Sequence, residues 1–311
     1  MTTASELLPR RGPNGGSAED RREERRRRWA AKGVDKTLWL LAPALIITVG
    51  LFIYPFIYGV MISFQPLAGG NPLQNYIDFF TSSYQRSSIW KTLRLAIPVA
   101  VVSLIIATPI AYRARRNFRG RQALTLVIML PLTFGSVLMA QGLTRVLAQY
   151  GWVNLILTGM GLPRGNLLYN YTGTFISSVV GTVPFLFLLM MGFFGSIDPS
   201  IEDAASTLGA SPTTRFWRVI LPLAAPGLVT AFMLATVETF AIFPSAILVG
   251  DPANSTRVLT LPIYEAANQK SDYTQAAAIA IVLTLIELII LGVLLWVRGR
   301  LYRGPASGGK G

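Results

Sequence analysis

The sequence predicts an all-α membrane protein with six transmembrane helices. Of its 311 residues, 52% are hydrophobic and only 14% are charged, whereas soluble domains carry about 25% charged residues. Six apolar segments are each long enough to cross a hydrocarbon core of about 30 Å. The basic residues, which give the chain a formal net charge of +13, are concentrated in alternate connections between these segments. Together these three observations indicate a multi-pass membrane protein.

The chain begins with a polar segment, residues 1–36, which is rich in Gly, Arg and Glu and is expected to be disordered. Its basic run, Arg25 to Arg28 with Arg21 and Arg22 before it, lies just ahead of the first apolar segment. No aromatic platform for nucleic-acid bases accompanies the run. We therefore interpret it as a topology signal that touches anionic lipid, and we do not expect a nucleic-acid partner.

A six-helix domain is expected over residues 37–300, followed by a short tail at 301–311. Its helices are predicted at about 38–63, 92–112, 123–146, 173–196, 223–249 and 275–297. The first segment is too long for the apolar part of a signal peptide, and no small-residue cleavage site closes it. Prolines inside the segments predict kinks, which membrane bundles tolerate; they are Pro55, Pro98, Pro109, Pro131, Pro184 and Pro244.

Lysine and arginine predict the orientation of the chain. The two tails, the second-to-third connection and the fourth-to-fifth connection hold 21 of these residues, and the alternate loops hold five. Cytoplasmic loops carry the excess of Lys and Arg. Both termini and the fourth-to-fifth connection are therefore expected to face the cytoplasm.

The fourth-to-fifth connection, residues 200–222, carries the most informative pattern. Four residues recur at helical spacing and give a short helix one apolar face: Ile201, Ala204, Ala205 and Leu208. Either Ser200 or Asp198 is suited to cap this helix, and Asp203 stands at the acidic position of a capping box begun by Ser200. A helix with so small a face suits docking into a groove on another protein.

Turn residues delimit that helix. Gly209 stands where a left-handed residue ends a helix, and Ser211 and Pro212 fit the cap and first position of the next one. The spacing therefore predicts two small helices that are separated at the glycine.

These residues resemble the cytoplasmic signature loop of permease subunits of ATP-binding-cassette (ABC) importers. The matching residues are Asp203-Ala204-Ala205, Gly209, Val219 and Leu221-Pro222. Asp203 and Val219 stand where Glu and Ile are commoner in that loop, and Glu202 is adjacent. Ala111 to Arg115 and Phe118 to Arg121 are similar to the stretch between the second and third helices of the same family. Gln141 to Leu143, Gly151 to Asn154 and Pro244 to Thr260 resemble spermidine/putrescine permeases, and the last stretch equally resembles ferric-iron permeases.

The resemblance implies a bacterial inner-membrane protein with the type I ABC importer permease fold and a cytoplasmic coupling helix. It implies three protein partners besides membrane lipid: ABC ATPase subunits, a second permease subunit and an extracytoplasmic solute-binding protein. It also implies a set of residues that couple to the ATPase, namely Glu202, Asp203, Ala204, Ala205, Leu208, Gly209 and Ala210. One subunit would supply half of a pathway for a small, polyamine-like solute; ferric iron, thiamine, a sugar or another organic solute is the alternative.

The residue inventory argues against an enzyme. The chain has no cysteine and no histidine, which removes thiol nucleophiles, imidazole bases and most metal sites. We find no paired carboxylates suited to acid–base chemistry and no G-x-x-x-x-G-K-[ST] phosphate loop. We therefore expect no cofactor and no metal, and the energy for uphill transport would come from a partner or an ion gradient. A secondary transporter and a structural or sensing protein remain alternatives, and an ATPase partner would separate them from an importer.

Two acids lie within apolar segments, Glu238 in the fifth and Glu287 in the sixth. A charge in the middle of a bilayer costs about 3 kcal/mol or more, so such groups usually face a polar path or a partner. Glu238 is either a carboxylate on the solute pathway or a hydrogen-bonded group packed against a neighbouring helix. For Glu287 the packing interpretation is preferred, because its neighbours are apolar.

Overall fold

The computed structural model describes residues 38–67 and 69–301, which form helices and connecting turns without any β-strand. Six helical stretches are long and apolar enough to cross a membrane: Pro43–Ser63, Ser83–Ala114, Arg121–Gly159, Tyr171–Gly195, Pro212–Phe240 and Tyr273–Arg300. The predicted all-α class with six candidate transmembrane helices is confirmed for these residues. The tail predicted at 1–36 lies outside the described residues, as does nearly all of the tail predicted at 301–311.

The chain divides into two compact units, one that ends at Tyr58 and one that begins at Gly59. The first unit contains most of helix α1, which runs from Leu38–Thr48 through a π-helical turn at Val49–Ile53 into Tyr54–Ser63.

The second unit contains the remaining helices. They are α2 (Gln74–Thr81), α3 (Ser83–Ala114), α4 (Arg121–Leu147), α5 (Trp152–Gly159), α6 (Tyr171–Gly195), α7 (Pro199–Thr207), α8 (Pro212–Arg215, a π-helical turn at Phe216–Ile220, then Leu221–Phe240), α9 (Pro244–Leu248), α10 (Thr260–Tyr264 with a π-helical turn at Glu265–Gln269) and α11 (Tyr273–Leu301).

Prolines account for two of the π-helical turns. The turn at Val49–Ile53 precedes Pro55, and the turn at Phe216–Ile220 precedes Pro222. A proline ring lacks an N–H and collides with the carbonyl four residues earlier. Widening the helix by one residue relieves that collision without breaking the helix. The second small helix predicted after Gly209 is consequently the first turn of the long helix α8, which corrects the expectation of a separate element.

Two helix boundaries differ clearly from those expected. The segment expected at 92–112 is the longer α3, because the Ser82 side chain caps a polar first turn by accepting a hydrogen bond from the Gln85 N–H. The segment expected at 223–249 starts earlier and ends at Phe240. Pro244 does not kink that helix; it starts the separate helix α9, since the residue before a proline is pushed out of the helical region.

The core of the second unit lies where α3, α6 and α8 meet. The face of α3 toward this core consists of small residues that are fully buried, including Ala100, Ala107 and Ala111. Large side chains of α6, among them Phe187 and Phe194, fill the space opposite. Small residues let helix backbones approach closely in a membrane protein. The alternation of small and large side chains therefore places α3 at the centre of the unit.

A second cluster packs α2 and α10 against α11. Phe79, Leu259 and Ile279 are fully buried there. Ala276 of α11 is buried in the same cluster, and its small side chain lets the helices approach closely.

Candidate functional site

Helix α7 begins and ends as a short, tightly delimited element. The side chain of Asp198 caps it by accepting a hydrogen bond of 2.9 Å from the backbone N–H of Ser200, and Pro199 occupies the first turn. Asp198 was one of the two predicted caps, and the structure confirms it. The capping box expected from Ser200 and Asp203 is not formed, because the helix begins at Pro199, two residues before the start that a Ser200 cap would give. These hydrogen bonds lower the pKa of the Asp198 carboxyl.

Gly209 ends α7 in the left-handed conformation that was expected. Its φ is +83°, and the chain closes with two backbone hydrogen bonds of 3.0 Å, from Gly209 N–H to the Ser206 carbonyl and from Ala210 N–H to the Ala205 carbonyl. Two residues later Ser211 caps α8, with Pro212 in its first turn, as predicted. The direction of the chain is therefore fixed on both sides of α7.

One side of α7 is anchored through Glu202, which is 2% exposed. Its Oε1 accepts a hydrogen bond of 2.7 Å from the Tyr112 hydroxyl and lies 2.9 Å from an Nη atom of Arg116. Its Oε2 accepts a hydrogen bond from Arg115. All three partners belong to the end of α3 or to the residues directly after it, so Glu202 connects α7 to the central helix of the fold.

The partners of Glu202 are themselves held in place by the core. The Tyr112 ring packs edge-on against Phe194 at 5.7 Å and against Phe216 at 4.8 Å between ring centroids. Arg115 donates a second hydrogen bond, of 3.3 Å, to the Phe194 carbonyl. This cluster therefore joins α3, α6, α7 and the start of α8 at one point.

The electrostatics of the cluster keep Glu202 ionised. Burial alone would raise the pKa of its carboxyl, but the Tyr112 hydrogen bond and the charges of Arg115 and Arg116 outweigh burial and hold the pKa below its ordinary value. At neutral pH the carboxylate is charged and paired within the chain.

The opposite side of α7 is open. Leu208 is 88% exposed and Ile201 is 40% exposed, and Ala204 and Asp203 are also exposed, with Ala205 half-buried. Gly209 is exposed and Ala210 is half-buried. The seven residues predicted to couple therefore separate into four exposed residues, two half-buried residues and one buried residue, Glu202, whose side chain binds partners within the chain.

At its other end α3 is tied to α10. The Tyr84 hydroxyl donates to both carboxylate oxygens of Glu265, at 2.9 and 3.1 Å, and the guanidinium of Arg257 lies 3.5 Å from the centre of the Tyr84 ring. Thr92 accepts a hydrogen bond of 2.8 Å from the Leu259 N–H. Sequence reasoning found neither this tie nor the partners of Glu202, because both join residues more than 80 positions apart.

The two acids within membrane segments lie in different surroundings. Glu238 is exposed on α8, with Thr182 of α6 as its polar neighbour. Glu287 is half-buried in a narrow cleft between α8 and α11, beside Met233, Thr236 and Val237. Glu238 is not among the residues that line the Glu287 cleft. Among the described residues, no group of three or more acidic, histidine or cysteine side chains could hold a metal ion.

Comparisons with known proteins agree with this architecture. The chain is 25% identical over 269 residues to a probable ABC transporter permease protein of Brucella abortus biovar 1 (strain 9-941), a match that covers 81% of this chain and 92% of that protein. It is 28% identical over 233 residues to a putative ferric transport system permease protein of Haemophilus influenzae (strain ATCC 51907 / DSM 11121 / KW20 / Rd), covering 74% of this chain and 36% of that protein.

A solved structure shares the fold. It is a crystal structure of a bacterial alginate ABC transporter in complex with an alginate pentasaccharide-bound periplasmic protein, with a TM-score of 0.75 and 21% identity over 88% of this chain and 98% of that chain.

The family itself is established by the sequence. Residues 100–303 match the family of binding-protein-dependent transport system inner membrane components, which confirms the expectation of a transport protein rather than an enzyme. The matched range contains α7, the Glu202 cluster, four of the six candidate membrane helices in full and the second half of the candidate helix Ser83–Ala114. The chain therefore belongs to this family, and it is a permease subunit of an ABC importer.

Proposed function

We propose that this permease forms half of a solute pathway and receives the force of ATP hydrolysis through α7, docked in a groove of a separate ATPase subunit. The observation that carries the proposal is the two-sided character of α7. One side is fixed by Glu202 to the end of α3, and the other presents Ile201, Ala204 and Leu208 to the outside. An exposed apolar face on a helix that is held rigidly from behind is suited to a partner groove.

The cluster around Glu202 supports a path for this force. A displacement of α7 acts on α3 through the carboxylate and its arginine partners, and on α8 through the tight turn at Gly209 and Ser211. Because α3 and α8 both pack on α6 in one core, the helices of the second unit respond together. ATP can shift the permease between its two conformations only if the ATPase pair binds these conformations with different affinities.

The proposal includes the remaining partners and the orientation. A second permease subunit supplies the other half of the pathway, and an extracytoplasmic solute-binding protein delivers the solute. The related alginate transporter was crystallised with such a periplasmic protein. The excess of Lys and Arg in the tails and in the 113–121 and 200–222 connections supports a cytoplasmic location for both termini and for α7 in a bacterial inner membrane.

A polyamine-like solute is the finer part of the proposal, and its support is Glu238. This acid is exposed on α8, the helix that follows the coupling loop, and a carboxylate lowers the barrier for a polycation crossing a low-dielectric region. The named relatives point to ferric transport and to alginate, so ferric iron, thiamine, a sugar or another organic solute remains the alternative. The identity of the solute is separable from the coupling role.

The function is tested by purifying the full-length chain, with a carboxy-terminal affinity tag, from a host that expresses the neighbouring transport genes. We expect an ATPase, a second permease and ATP-dependent uptake in reconstituted vesicles. Uptake that needs no ATPase and follows an ion gradient would identify a secondary transporter and contradict the proposal. Thiol labelling of single-cysteine variants from outside intact cells tests the orientation, since the chain has no native cysteine: Gly165→Cys is expected to be labelled and Ser206→Cys protected.

A further inference from the structure

An apolar groove runs between α3 and α8 near the end of α3 that carries the Glu202 cluster. It has a volume of about 310 Å³. Apart from one threonine, the lining side chains are apolar. They are Leu104, Ile105, Thr108 and Pro109 of α3, and Phe216, Trp217, Leu221 and Leu228 of α8. Because both helices are candidate membrane spans, the groove opens at the depth of the lipid tails, next to the membrane surface.

Two arginines neighbour, in the sequence, the groove residues that lie nearest that surface. Arg113 follows Ile105 and Pro109 at steps of four residues, so it continues their row on α3 by one turn. Arg218 lies one turn before Leu221 on α8. Both arginines are exposed, and within the part of the chain that the structure describes neither forms an ion pair with a carboxylate.

Trp217 marks the same level. Its side chain is 61% exposed while it lines the groove, and it is in the first turns of the candidate span Pro212–Phe240. Tryptophan is enriched at the headgroup level of membranes because its ring is apolar with one polar N–H. The sequence positions of the tryptophan and the two arginines therefore place them on the part of the groove that is closest to the headgroups.

We propose that this groove binds an anionic phospholipid, with an acyl chain between α3 and α8 and the headgroup phosphate on Arg113 and Arg218. The apolar walls match an acyl chain, and two unpaired guanidinium groups favour a lipid with net negative charge over a zwitterionic one. Guanidinium groups bind phosphate with strong charge-assisted hydrogen bonds. The Arg113 guanidinium stacks on the Phe118 ring, with its carbon 4.6 Å from the ring centroid.

The site touches the coupling machinery directly. Phe216 forms part of the groove wall and also packs on Tyr112, whose hydroxyl holds Glu202. A bound acyl chain fills the space behind Phe216 and keeps that ring against Tyr112. This consequence rests on the proposed coupling role of α7, whereas lipid binding itself depends only on the groove and its arginines.

The test counts tightly bound phosphatidylglycerol on the purified transporter by native mass spectrometry, over a titration of that lipid against phosphatidylcholine. The variant carries Arg113→Gln and Arg218→Gln together. The matched control is Arg300→Gln, because Arg300 also lies beside a tryptophan at a membrane helix end, 4.1 Å from the Trp296 ring, but borders none of the groove residues. Each arginine near an anionic headgroup contributes about fivefold in affinity. The affinity for phosphatidylglycerol is therefore expected to fall about twenty-five-fold in the double variant and to change little in the control.

Fluorescence quenching by brominated acyl chains locates the lipid. The difference in quenching between the wild type and Trp217→Phe measures the quenching of Trp217 at the groove. The difference between the wild type and Trp296→Phe measures the quenching of an ordinary interfacial tryptophan. Brominated phosphatidylglycerol is expected to quench Trp217 more than brominated phosphatidylcholine does. In the double arginine variant the two lipids are expected to quench Trp217 to the same small extent. Equal quenching by the two lipids, no quenching of Trp217 because protein covers the groove, or unchanged lipid counts in the double variant would each overturn the proposal. Co-purification of the ATPase, measured on the same samples, reports separately on the coupling role.

Discussion

Tyr112 and Glu202 are 90 positions apart in the chain, and a hydrogen bond of 2.7 Å joins the hydroxyl of one to the carboxylate of the other. The bond links the end of α3 to α7. Because Arg115 and Arg116 bind the same carboxylate, the link combines charge with hydrogen bonding and is largely shielded from water. The helix that faces the proposed ATPase is therefore part of the permease core rather than a loose loop.

Glu202→Ala is expected to lower the thermal stability of the permease and to weaken its complex with the ATPase. Removing one partner of a buried ion pair leaves the other uncompensated and typically costs about 3 kcal/mol, and Arg115 is 8% exposed. The neighbouring acid offers a matched control, since Asp203 is exposed and Asp203→Ala is expected to cost less than about 0.5 kcal/mol in fold stability. The two variants are compared by the unfolding midpoint of the purified permease. Equal midpoints would mean that Glu202 does not anchor α7.

Gly209→Ala is expected to destabilise the end of α7 by about 1–2 kcal/mol, because a side chain in the left-handed region is strained. The space around Gly209 is open, so a crowding effect is excluded and the backbone alone is tested. Gly195→Ala serves as control, since that glycine also has open space but its φ is not positive. ATP hydrolysis coupled to solute is the measurement; it should fall for the first variant only. Normal coupling with Ala at 209 would contradict the role of the turn.

Acid is expected to release α7 through Glu202. The folded pKa of this carboxyl lies below its ordinary value of 4.5, so its contribution to stability is complete above the ordinary value and is lost as the pH falls through the lower, folded value. The stability difference between wild type and Glu202→Gln should therefore be constant near neutral pH and shrink below about pH 4. Because both proteins share every other titrating group, a difference that stays constant in acid would refute this assignment.

Glu238→Gln separates the two interpretations of that acid. Glutamine keeps the size and most of the hydrogen bonding to Thr182 but removes the charge. If the carboxylate serves a cationic solute, uptake below saturation is expected to fall at least about tenfold, which corresponds to about 1.4 kcal/mol, with assembly unchanged. Uptake equal to wild type would leave a packing role and would remove the argument for a polyamine-like solute. Glu287→Gln is the control, because Glu287 is half-buried in the cleft between α8 and α11.

Local rules were sufficient to predict the outline of the coupling region from the sequence. Gly209, Ser211 and Pro212 act through the backbone of their own turns, so their roles could be inferred from type and spacing. Of the two caps predicted for α7 the structure confirms Asp198, and the capping box based on Ser200 was wrong because Pro199 was not weighed against Ser200. The end of α8 was wrong because Pro244 was interpreted as a kink inside an apolar run.

The interior of the site needed the three-dimensional structure. Glu202 was grouped with the docking residues, although at 100° per residue it points away from the face of Ala204, Ala205 and Leu208. That angle was a usable signal. Its partners Tyr112 and Arg115 could not be identified, because nothing local connects them to α7 and the basic residues there were already explained by the orientation of the chain.

Site-specific crosslinking tests the docking of α7 most directly. The chain has no native cysteine, so Ala205→Cys places a single thiol on the apolar face that Ile201, Ala204 and Leu208 share, and Ser206→Cys places one on a different side of α7. A short thiol-to-amine crosslinker is applied to the assembled transporter in membranes. We expect Ala205→Cys to join the permease to the ATPase subunit in high yield and Ser206→Cys to do so weakly. Equal yields, or a product at position 205 that lacks the ATPase, would contradict the account.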